Sequence, residues 1–238
     1  GILLKRETKL NTLKDLKAER VWKELEKALK SNKPSYFFWV LFNIGGLDYW
    51  FPEVKALDVP DMHDGTALNH TMKVLDEGGD ALSTFGLLCH DFGKGRTPVE
   101  EHPKHHGHDQ LGVEAVEEFC TRLKVPTEYR EIGVLACSEH MRIKRLDEMK
   151  AGKFFRWVTQ NKKHLYRLFN ISFVDSLYRD GAKKDEVRIA FSRIWYQIGM
   201  VLEAVEVVTG ASLIAEGYLP KSKHDKKFGE TLFSRRVH

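Results

Sequence analysis

The sequence predicts an all-α fold of about eight or nine helices, and three observations support this. Apolar residues recur at spacings of three and four through most of the 238 residues, a pattern typical of helices that bury one face. No pair of alternating, strand-like segments is present, and neither an internal repeat nor a low-complexity segment interrupts the pattern. No apolar run approaches the roughly 20 residues needed to span a bilayer, so we expect no membrane partner.

The N-terminal part predicts two helices and a loop. Leucines and a tryptophan recur at helical spacing over residues 11–30, with Asn11 or Thr12 as the expected cap. Residues 36–42 read YFFWVLF and are followed by two glycines, which predicts a short buried helix, with a strand as the competing interpretation. Prolines and glycine punctuate residues 47–66, which predicts a loop.

The rest of the chain predicts seven further helices, the second of them capped by Asp80. They are expected over residues 66–76, 81–91, 111–125, 127–140, 146–157, 163–178 and 185–208. A polar, basic terminus follows, which we expect to be solvated and partly mobile, with an RNA-contacting arm as the alternative. Its cationic residues are Lys221, Lys223, Lys226, Lys227, Arg235 and Arg236.

These elements suggest three parts. Residues 1–34 form a helical arm, residues 35–210 the main domain and residues 211–238 the basic tail. The three cysteines have no CxxC spacing and sit in apolar or helical patterns, so we expect core residues in a reducing compartment, the cytoplasm. A net charge of +4 permits a nucleic-acid partner without requiring one.

A histidine-rich stretch carries the chemistry. Residues 87–109 read LLCHDFGKGRTPVEEHPKHHGHD and contain five of the eleven histidines, including the adjacent pair His90-Asp91 at a predicted helix end. Further imidazole and carboxylate groups lie in apolar surroundings on predicted helices, at His70, His108, His140 and Asp175. A carboxylate in such surroundings is costly unless it is paired or binds a metal, and the ordered set therefore predicts a metal centre.

The ligand types narrow the choice of metal. Imidazole and carboxylate groups without thiolates suit Mn²⁺, Fe²⁺, Co²⁺, Ni²⁺ or Zn²⁺ and disfavour a structural zinc site. We expect Ni, Co, Mn or Fe, with Mg also allowed, as one or two ions. Such an ion activates water for hydrolysis.

The H…HD…D pattern of His70, His90-Asp91 and Asp175 resembles the HD superfamily of metal-dependent phosphohydrolases. Residues 19–181 also resemble the C-terminal half of bacterial CCA-adding tRNA nucleotidyltransferases of the multifunctional kind. The matching segments are ERVWKELEKAL, FFWVLFNIGGLDYWFPEV, LLCHDFGKGRTP, HHGHDQLGVEAVEEFCTRLKVP and FVDSLYRDG. The resemblance implies an HD-domain helical fold.

The resemblance also implies roles for single residues. Metal ligands are expected at His70, His90, Asp91 and Asp175, and His108 and His140 correspond to the extra histidines of two-metal relatives. We favour one tightly held ion and a weaker second one, with Asp91 bridging them. Asp91 would also orient water, and Lys94 would stabilise the transition state. Weaker candidates for substrate contact are Arg96, His106 and Arg179, whereas His102 and His105 are expected to be loop residues.

The expected activity is hydrolysis of 2′,3′-cyclic nucleotides, 2′-nucleotides or related phosphate esters, with a nucleotide or an RNA-end phosphate as substrate. Two alternatives stay open: a tRNA-binding or interaction module with a vestigial metal site, and a phosphodiesterase for another cyclic nucleotide. The CCA-adding relatives carry a nucleotidyltransferase head with a D-x-D carboxylate pair. This sequence begins after the point where that head would end, and we expect no nucleotide addition from it.

Overall fold

The computed structural model describes residues 13–217 and 226–237, and the all-α prediction is confirmed. These residues form α-helices and three short 3₁₀ helices, and their strand-like pairing is confined to a single bridge between Pro60 and Thr66. No helix among them combines the length and the apolar character that a membrane span requires.

The helices are numbered in chain order. The first seven are α1 (Ala18–Leu29), α2 (Ser35–Ile44), α3 (Leu47–Trp50), α4 (Pro52–Ala56), α5 (Ala67–Leu75), α6 (Ala81–Cys89) and α7 (His108–Leu123). The other six are α8 (Thr127–Ile143), α9 (Ala151–Gln160), α10 (Leu165–Leu177), α11 (Lys184–Val207), α12 (Gly210–Ala215) and α13 (Lys226–Val237). The 3₁₀ helices are Phe92–Arg96, Val99–Glu101 and Leu146–Glu148.

Within residues 13–217 and 226–237, all nine predicted helices are present, and four more accompany them. Helices α3 and α4 lie in the expected loop, because segments of four and five residues are too short to show helical periodicity. Helix α12 lies before residues 221–238, the terminus expected to be solvated and partly mobile. Helix α13 lies within that terminus, whose described part is therefore helical. Lys221 and Lys223, like the expected caps Asn11 and Thr12, lie outside the described residues.

Local sequence explains where the central helices start and stop. The Asp80 carboxylate accepts hydrogen bonds from the backbone N–H groups of Leu82 and Ser83 at 3.0 and 3.1 Å, which confirms it as the cap of α6. Thr66 caps α5 in the same way. The segment read as helix or strand is helix α2, and Gly45 ends it in the left-handed region at φ 73°.

The chain divides into two compact units. One comprises Gly1–Lys144 and Tyr166–Val187, and the other Arg145–Leu165 and Arg188–His238. The core of the first unit contains the fully buried rings of Phe38, Phe85, Phe92 and Phe119. In the second unit, the buried Phe155 ring of α9 meets the Phe233 ring of α13 edge to face, with 5.3 Å between ring centroids.

Two glycines allow close packing at the centre of the first unit. A Cβ added to Gly86 of α6 would lie 2.3 Å from the Ile171 side chain of α10, and one added to Gly93 would lie 1.8 Å from the His108 carbonyl oxygen. Side chain and backbone therefore approach these positions more closely than any residue with a Cβ allows. Helix α6 therefore packs closely against α10 at Gly86, and the turn after α6 packs closely against the start of α7 at Gly93.

Replacing Gly93 by Ala should lower the free energy of unfolding by roughly 1–3 kcal/mol, because the new methyl group meets backbone atoms that cannot rotate away. Calorimetric thermal unfolding measures the effect. Gly199→Ala is the matched control: its Cβ would meet no atom within 4 Å, and the same substitution there should stabilise the chain by about 0.5–1 kcal/mol. Equal effects of the two substitutions would contradict this account of the packing.

Candidate metal centre

Six side chains converge in the first unit as two groups of three. His70, His90 and Asp175 form one group, and Asp91, His108 and His140 form the other. Within each group the potential ligand atoms lie within 4.8 Å of one another, and all six residues are buried. The sequence-predicted ligands thus lie together, although they come from positions spread over about a hundred residues of the chain.

Five helices deliver these residues. His70 lies in the middle of α5, His90 and Asp91 follow the last turn of α6, and His108 is the first residue of α7. His140 lies near the end of α8, and Asp175 lies in α10. Gly86 and Ile171 are each one turn before His90 and Asp175, so the close contact between α6 and α10 brings these two ligands to the same level.

Each histidine ring is oriented through its Nδ1 atom. His90 donates to the Leu87 carbonyl oxygen at 2.7 Å, and His108 donates to the His105 carbonyl oxygen at 2.8 Å. His140 donates to the Cys137 carbonyl oxygen at 2.9 Å. A nitrogen that faces a carbonyl oxygen carries the proton, so these three rings turn Nε2 toward the centre. When the rings are neutral, Nε2 therefore carries the lone pair that a metal ligand requires.

His70 is held differently, between two carboxylates. Its Nδ1 lies 2.9 Å from Asp64 Oδ2, and its Nε2 lies 3.2 Å from Asp175 Oδ1. Burial disfavours the charged ring, but the bonds to Asp175 and Asp64 outweigh it and raise the pKa of His70 to about 9. Without a metal His70 is therefore an imidazolium, and coordination through Nε2 would require loss of that proton.

The positions of the other nitrogens fit a cation. The Nε2 atoms of His108 and His140 are 3.2 Å apart, and burial together with His90 and Lys144 lowers the pKa of His140 to about 3. The buried His90 Nε2 has no hydrogen-bond partner among the described residues and lies 3.2 Å from Asp91 Oδ2. Lone pairs that face one another in a buried site are costly unless a shared cation or proton lies between them. The donor set therefore fits a divalent metal.

Asp91 lies between the two groups. Its Oδ2 faces His90, and its Oδ1 lies 3.4 Å from His108 Nε2 and 3.7 Å from His140 Nε2. Burial disfavours the ionised carboxylate, but the neighbouring His90 and Lys94 hold the pKa of Asp91 well below its usual range. Its two oxygens thus reach both sets of ligands, which is the placement of a bridging carboxylate.

Two lysines neutralise the carboxylates. The Lys94 ammonium lies 2.8 Å from Asp91 Oδ2 and 2.6 Å from Asp61 Oδ2, and the Lys144 ammonium lies 2.5 Å from Asp175 Oδ2. Burial disfavours the Asp175 carboxylate, but Lys144 and the bond from His70 keep its pKa well below the usual range. Both lysines line a cavity of about 160 Å³, which is also lined by five of the six residues, all but His90.

Of the three weaker candidates for substrate contact, one lines this cavity and two do not. Arg179 lines this cavity together with Lys104, which the sequence did not single out. Arg96 does not line the cavity, and its guanidinium pairs with Glu114 at 3.2 Å and with Glu118. His106 is 71% exposed and pairs with Glu101, away from the lining.

His105 lies in a loop, as expected, and its side chain is fully buried. Its ring lies between the Thr97 hydroxyl and the Pro60 carbonyl oxygen, at 2.6 and 2.7 Å. It therefore fastens the histidine-rich loop to the segment before α5.

Sequence reasoning missed three residues of the centre: Asp61, Asp64 and Lys144. Asp61 and Asp64 lie in a segment without helical periodicity, where a carboxylate has no pattern to mark it. Lys144 did carry a signal, because it follows His140 by four residues and so shares its helix face.

Comparison with known proteins places this geometry in a family. Residues 67–187 match the model of the HD domain, just over half of the chain, and residues 7–57 match a model described as "Probable RNA and SrmB- binding site of polymerase A". The chain is 32% identical over 229 residues to the Multifunctional CCA protein of Shewanella denitrificans, covering 87% of this chain and 52% of the relative.

Two further relatives carry the same name. The protein of Teredinibacter turnerae is 30% identical over 236 residues, covering 93% of this chain and 55% of the relative. That of Stenotrophomonas maltophilia is 41% identical over 143 residues, covering 56% and 35% respectively. The chain thus spans about half the length of the first two relatives. Its match to the third covers about a third of that relative's length.

Replacing Asp64 by Asn should weaken divalent-metal binding by about tenfold to a hundredfold, because the His70 ring loses the carboxylate that orients it. Titration calorimetry with Mn²⁺ or Ni²⁺ measures the affinity. Asp58→Asn, at an exposed carboxylate of the same segment, should leave it unchanged. If the Asp64→Asn variant binds the metal as tightly as the unmodified chain, the contact between Asp64 and His70 does not orient a metal ligand.

Proposed function

Because this chain belongs to the HD-domain family, we propose that it is a metal-dependent phosphohydrolase acting on phosphate esters of nucleotides or RNA ends. The match confirms the resemblance indicated by the H…HD…D pattern. One observation carries the proposal: six buried imidazole and carboxylate groups face one another beside a cavity whose wall includes three lysines and an arginine. A site built only for stability would have no use for that many buried polar groups turned toward one another.

The metal ligands divide by position. His70, His90, Asp91 and Asp175 would hold one ion tightly, and Asp91 would bridge it to a weaker second ion at His108 and His140. Four imidazoles favour Ni, Co, Mn or Fe over Mg, which prefers oxygen ligands. When bound, such an ion supplies Lewis acidity toward a phosphoryl oxygen and lowers the pKa of water.

The other residues would act on the substrate. Asp91, with an oxygen toward each group of ligands, would orient the attacking water and accept its proton. Lys94, fixed by Asp61 and Asp91, would offset the negative charge that grows on the phosphoryl oxygens. Water adds to phosphorus, the bond from phosphorus to the ester oxygen breaks, and that oxygen takes up a proton. Arg179 and Lys104 at the cavity wall would bind the remaining phosphate charge.

The substrate class is the one that the sequence resemblance implies. We propose 2′,3′-cyclic nucleotides and 2′-nucleotides as substrates. A phosphodiesterase for another cyclic nucleotide shares the same centre, so a cyclic dinucleotide belongs in the same assay. Relative rates with the two substrate types separate these readings.

A second candidate function is RNA binding through the N-terminal helices. The match of residues 7–57 to an RNA-binding model favours it, and two exposed tyrosines there, Tyr36 and Tyr49, offer faces on which bases can stack. The sequence resemblance to CCA-adding tRNA nucleotidyltransferases supports tRNA as the RNA. Binding of tRNA without hydrolysis under any metal would favour an interaction module with a vestigial metal site.

Replacing Asp91 by Ala should reduce hydrolysis of 2′,3′-cyclic AMP and p-nitrophenyl phosphate at least about a hundredfold, because ligand and proton acceptor are lost together. Rates are measured with Ni²⁺, Co²⁺, Mn²⁺ and Mg²⁺ in turn. Asp58→Ala, at an exposed carboxylate, should keep the full rate. Full metal-stimulated hydrolysis by the Asp91→Ala variant would refute the proposed centre.

Replacing His108 by Ala tests the number of ions. If one ion is held tightly and the second weakly, elemental analysis after dialysis should find one ion in both the unmodified chain and the variant, with hydrolysis reduced in the variant. A fall from two ions to one would refute the single tight site and make both groups of ligands equal partners. His106→Ala, at an exposed histidine, is the matched control and should change neither the count nor the rate.

A further inference from the structure

The cavity beside the metal centre has an apolar part that the proposed function does not use. Most of the described residues that line it are charged or carry an imidazole ring, and the exceptions are Met62, Pro103 and Met141. All three are exposed, and Met62 and Met141 are 57% and 41% accessible to solvent. The metal-ligand candidates in the same lining are buried. The cavity therefore has a buried polar interior and a solvent-facing part that includes apolar surface.

The size of the cavity limits what it can enclose. Its volume is about 160 Å³, whereas a site that encloses most of a drug-sized ligand measures about 300–1,000 Å³. A nucleotide is a ligand of that size, and its phosphate lies beside the metal ligands if the centre acts as proposed. The phosphate and part of the sugar then fill the interior, and the base lies toward the solvent-facing part.

Met62 belongs to a loop that is tied to the centre on both sides of this residue. On one side, the Asp61 carboxylate accepts a hydrogen bond from the Lys94 ammonium at 2.6 Å. On the other side, the Asp64 carboxylate lies 2.9 Å from Nδ1 of the His70 ring. These two contacts fix the position of the loop relative to the ligands, so Met62 is part of a preformed wall.

Met141 adjoins a cation of the centre. Its Sδ atom lies 3.6 Å from the Lys144 ammonium, which also lies 2.5 Å from Asp175 Oδ2. Met141 directly follows the buried ligand candidate His140 in helix α8, and both residues line the cavity. A group in contact with the Met141 thioether is therefore close to a phosphate held by the centre.

The chemistry of methionine suits a nucleobase. Its polarisable sulfur makes favourable contacts with aromatic rings, and its unbranched chain adapts to their shape. A base that covers these side chains removes apolar surface from water on both partners. A phosphate group alone gains nothing from such a contact. Single exposed methionines are ordinary on protein surfaces, but Met62 and Met141 come from different elements and line the same cavity.

We propose that Met62 and Met141 form a base subsite, in which they contact the nucleobase of a substrate whose phosphate lies at the metal centre. This inference rests on the proposed function, because that function places the phosphate. The two side chains then determine specificity: they favour nucleotides and RNA ends over phosphate esters that lack a base. Both lie in the first compact unit, as does every other residue that lines the cavity.

Steady-state kinetics of the full chain with two substrates tests the subsite. One substrate is 2′,3′-cyclic AMP, and the other is methyl riboside 2′,3′-cyclic phosphate, which carries a methoxy group in place of the base. The unmodified chain should prefer the nucleotide. Met62→Ala and Met141→Ala should each lower the ratio of the two kcat/KM values about twofold to tenfold, mainly through the KM of the nucleotide. Met200→Ala, at a methionine of the second unit that is 55% exposed, is the matched control and should leave the ratio unchanged.

Titration calorimetry with adenosine 2′-phosphate provides a measurement that does not require hydrolysis. The unmodified chain should bind this nucleotide more tightly than inorganic phosphate, and the double variant Met62→Ala/Met141→Ala should lose most of the difference. The same binding pattern in a chain that hydrolyses neither cyclic phosphate under any metal would support the subsite and refute the proposed function.

The opposite outcome also separates the two proposals. Hydrolysis of both cyclic phosphates by the unmodified chain with equal kcat/KM, or a ratio that the double variant leaves unchanged, would overturn the subsite while the proposed function stands. Equal affinity for adenosine 2′-phosphate and inorganic phosphate would overturn the subsite as well. Circular dichroism and the thermal midpoint confirm that each variant folds.

Discussion

The burial of two ionised carboxylates, Asp91 and Asp175, is the constraint on which the centre of this protein depends. Each would cost several kcal/mol if it were left unpaired, so each needs positive charge within a few ångströms. Lys94 and Lys144 supply that charge at 2.8 and 2.5 Å. The same requirement explains the His70 ring, which is held as an imidazolium between Asp64 and Asp175. Both carboxylates thus have a cationic partner, and ligands and cations lie where a phosphate ester could meet both.

Close backbone packing makes this arrangement of ligands and charges possible. Gly86 and Gly93 remove the side chains that would hold α6 away from α10 and from the start of α7. His90 belongs to one ligand group and the adjacent Asp91 to the other, so the position of this single turn sets both groups. Three of the rings are fixed by carbonyl oxygens of their own or neighbouring turns, so their Nε2 atoms point inward. This preorganisation is what a catalytic metal centre requires of its scaffold.

Much of this could be predicted from the sequence, for identifiable reasons. Long amphipathic helices can be predicted from the helical spacing of their apolar residues. The ligand candidates from His70 to Asp175 can be recognised because their neighbours in sequence are apolar. Short helices such as α3 carry no period, and Asp64 lies in a segment where polar residues are ordinary. The run His105-His106 shows the other limit: adjacent histidines look alike in sequence, yet one is buried and the other is mostly exposed. Only the path of the loop separates them.

Anomalous diffraction from crystals of the full chain soaked with Mn²⁺ or Ni²⁺ tests the central claim most directly, because it locates the ion without reference to activity. The account predicts a strong anomalous peak among His70, His90, Asp91 and Asp175, and a weaker one beside His108 and His140. It also predicts that the Lys144 ammonium moves from Asp175 toward the cavity when the first peak is present. An anomalous peak elsewhere in the chain, or a centre that stays metal-free while the Lys144–Asp175 ion pair persists, would contradict it.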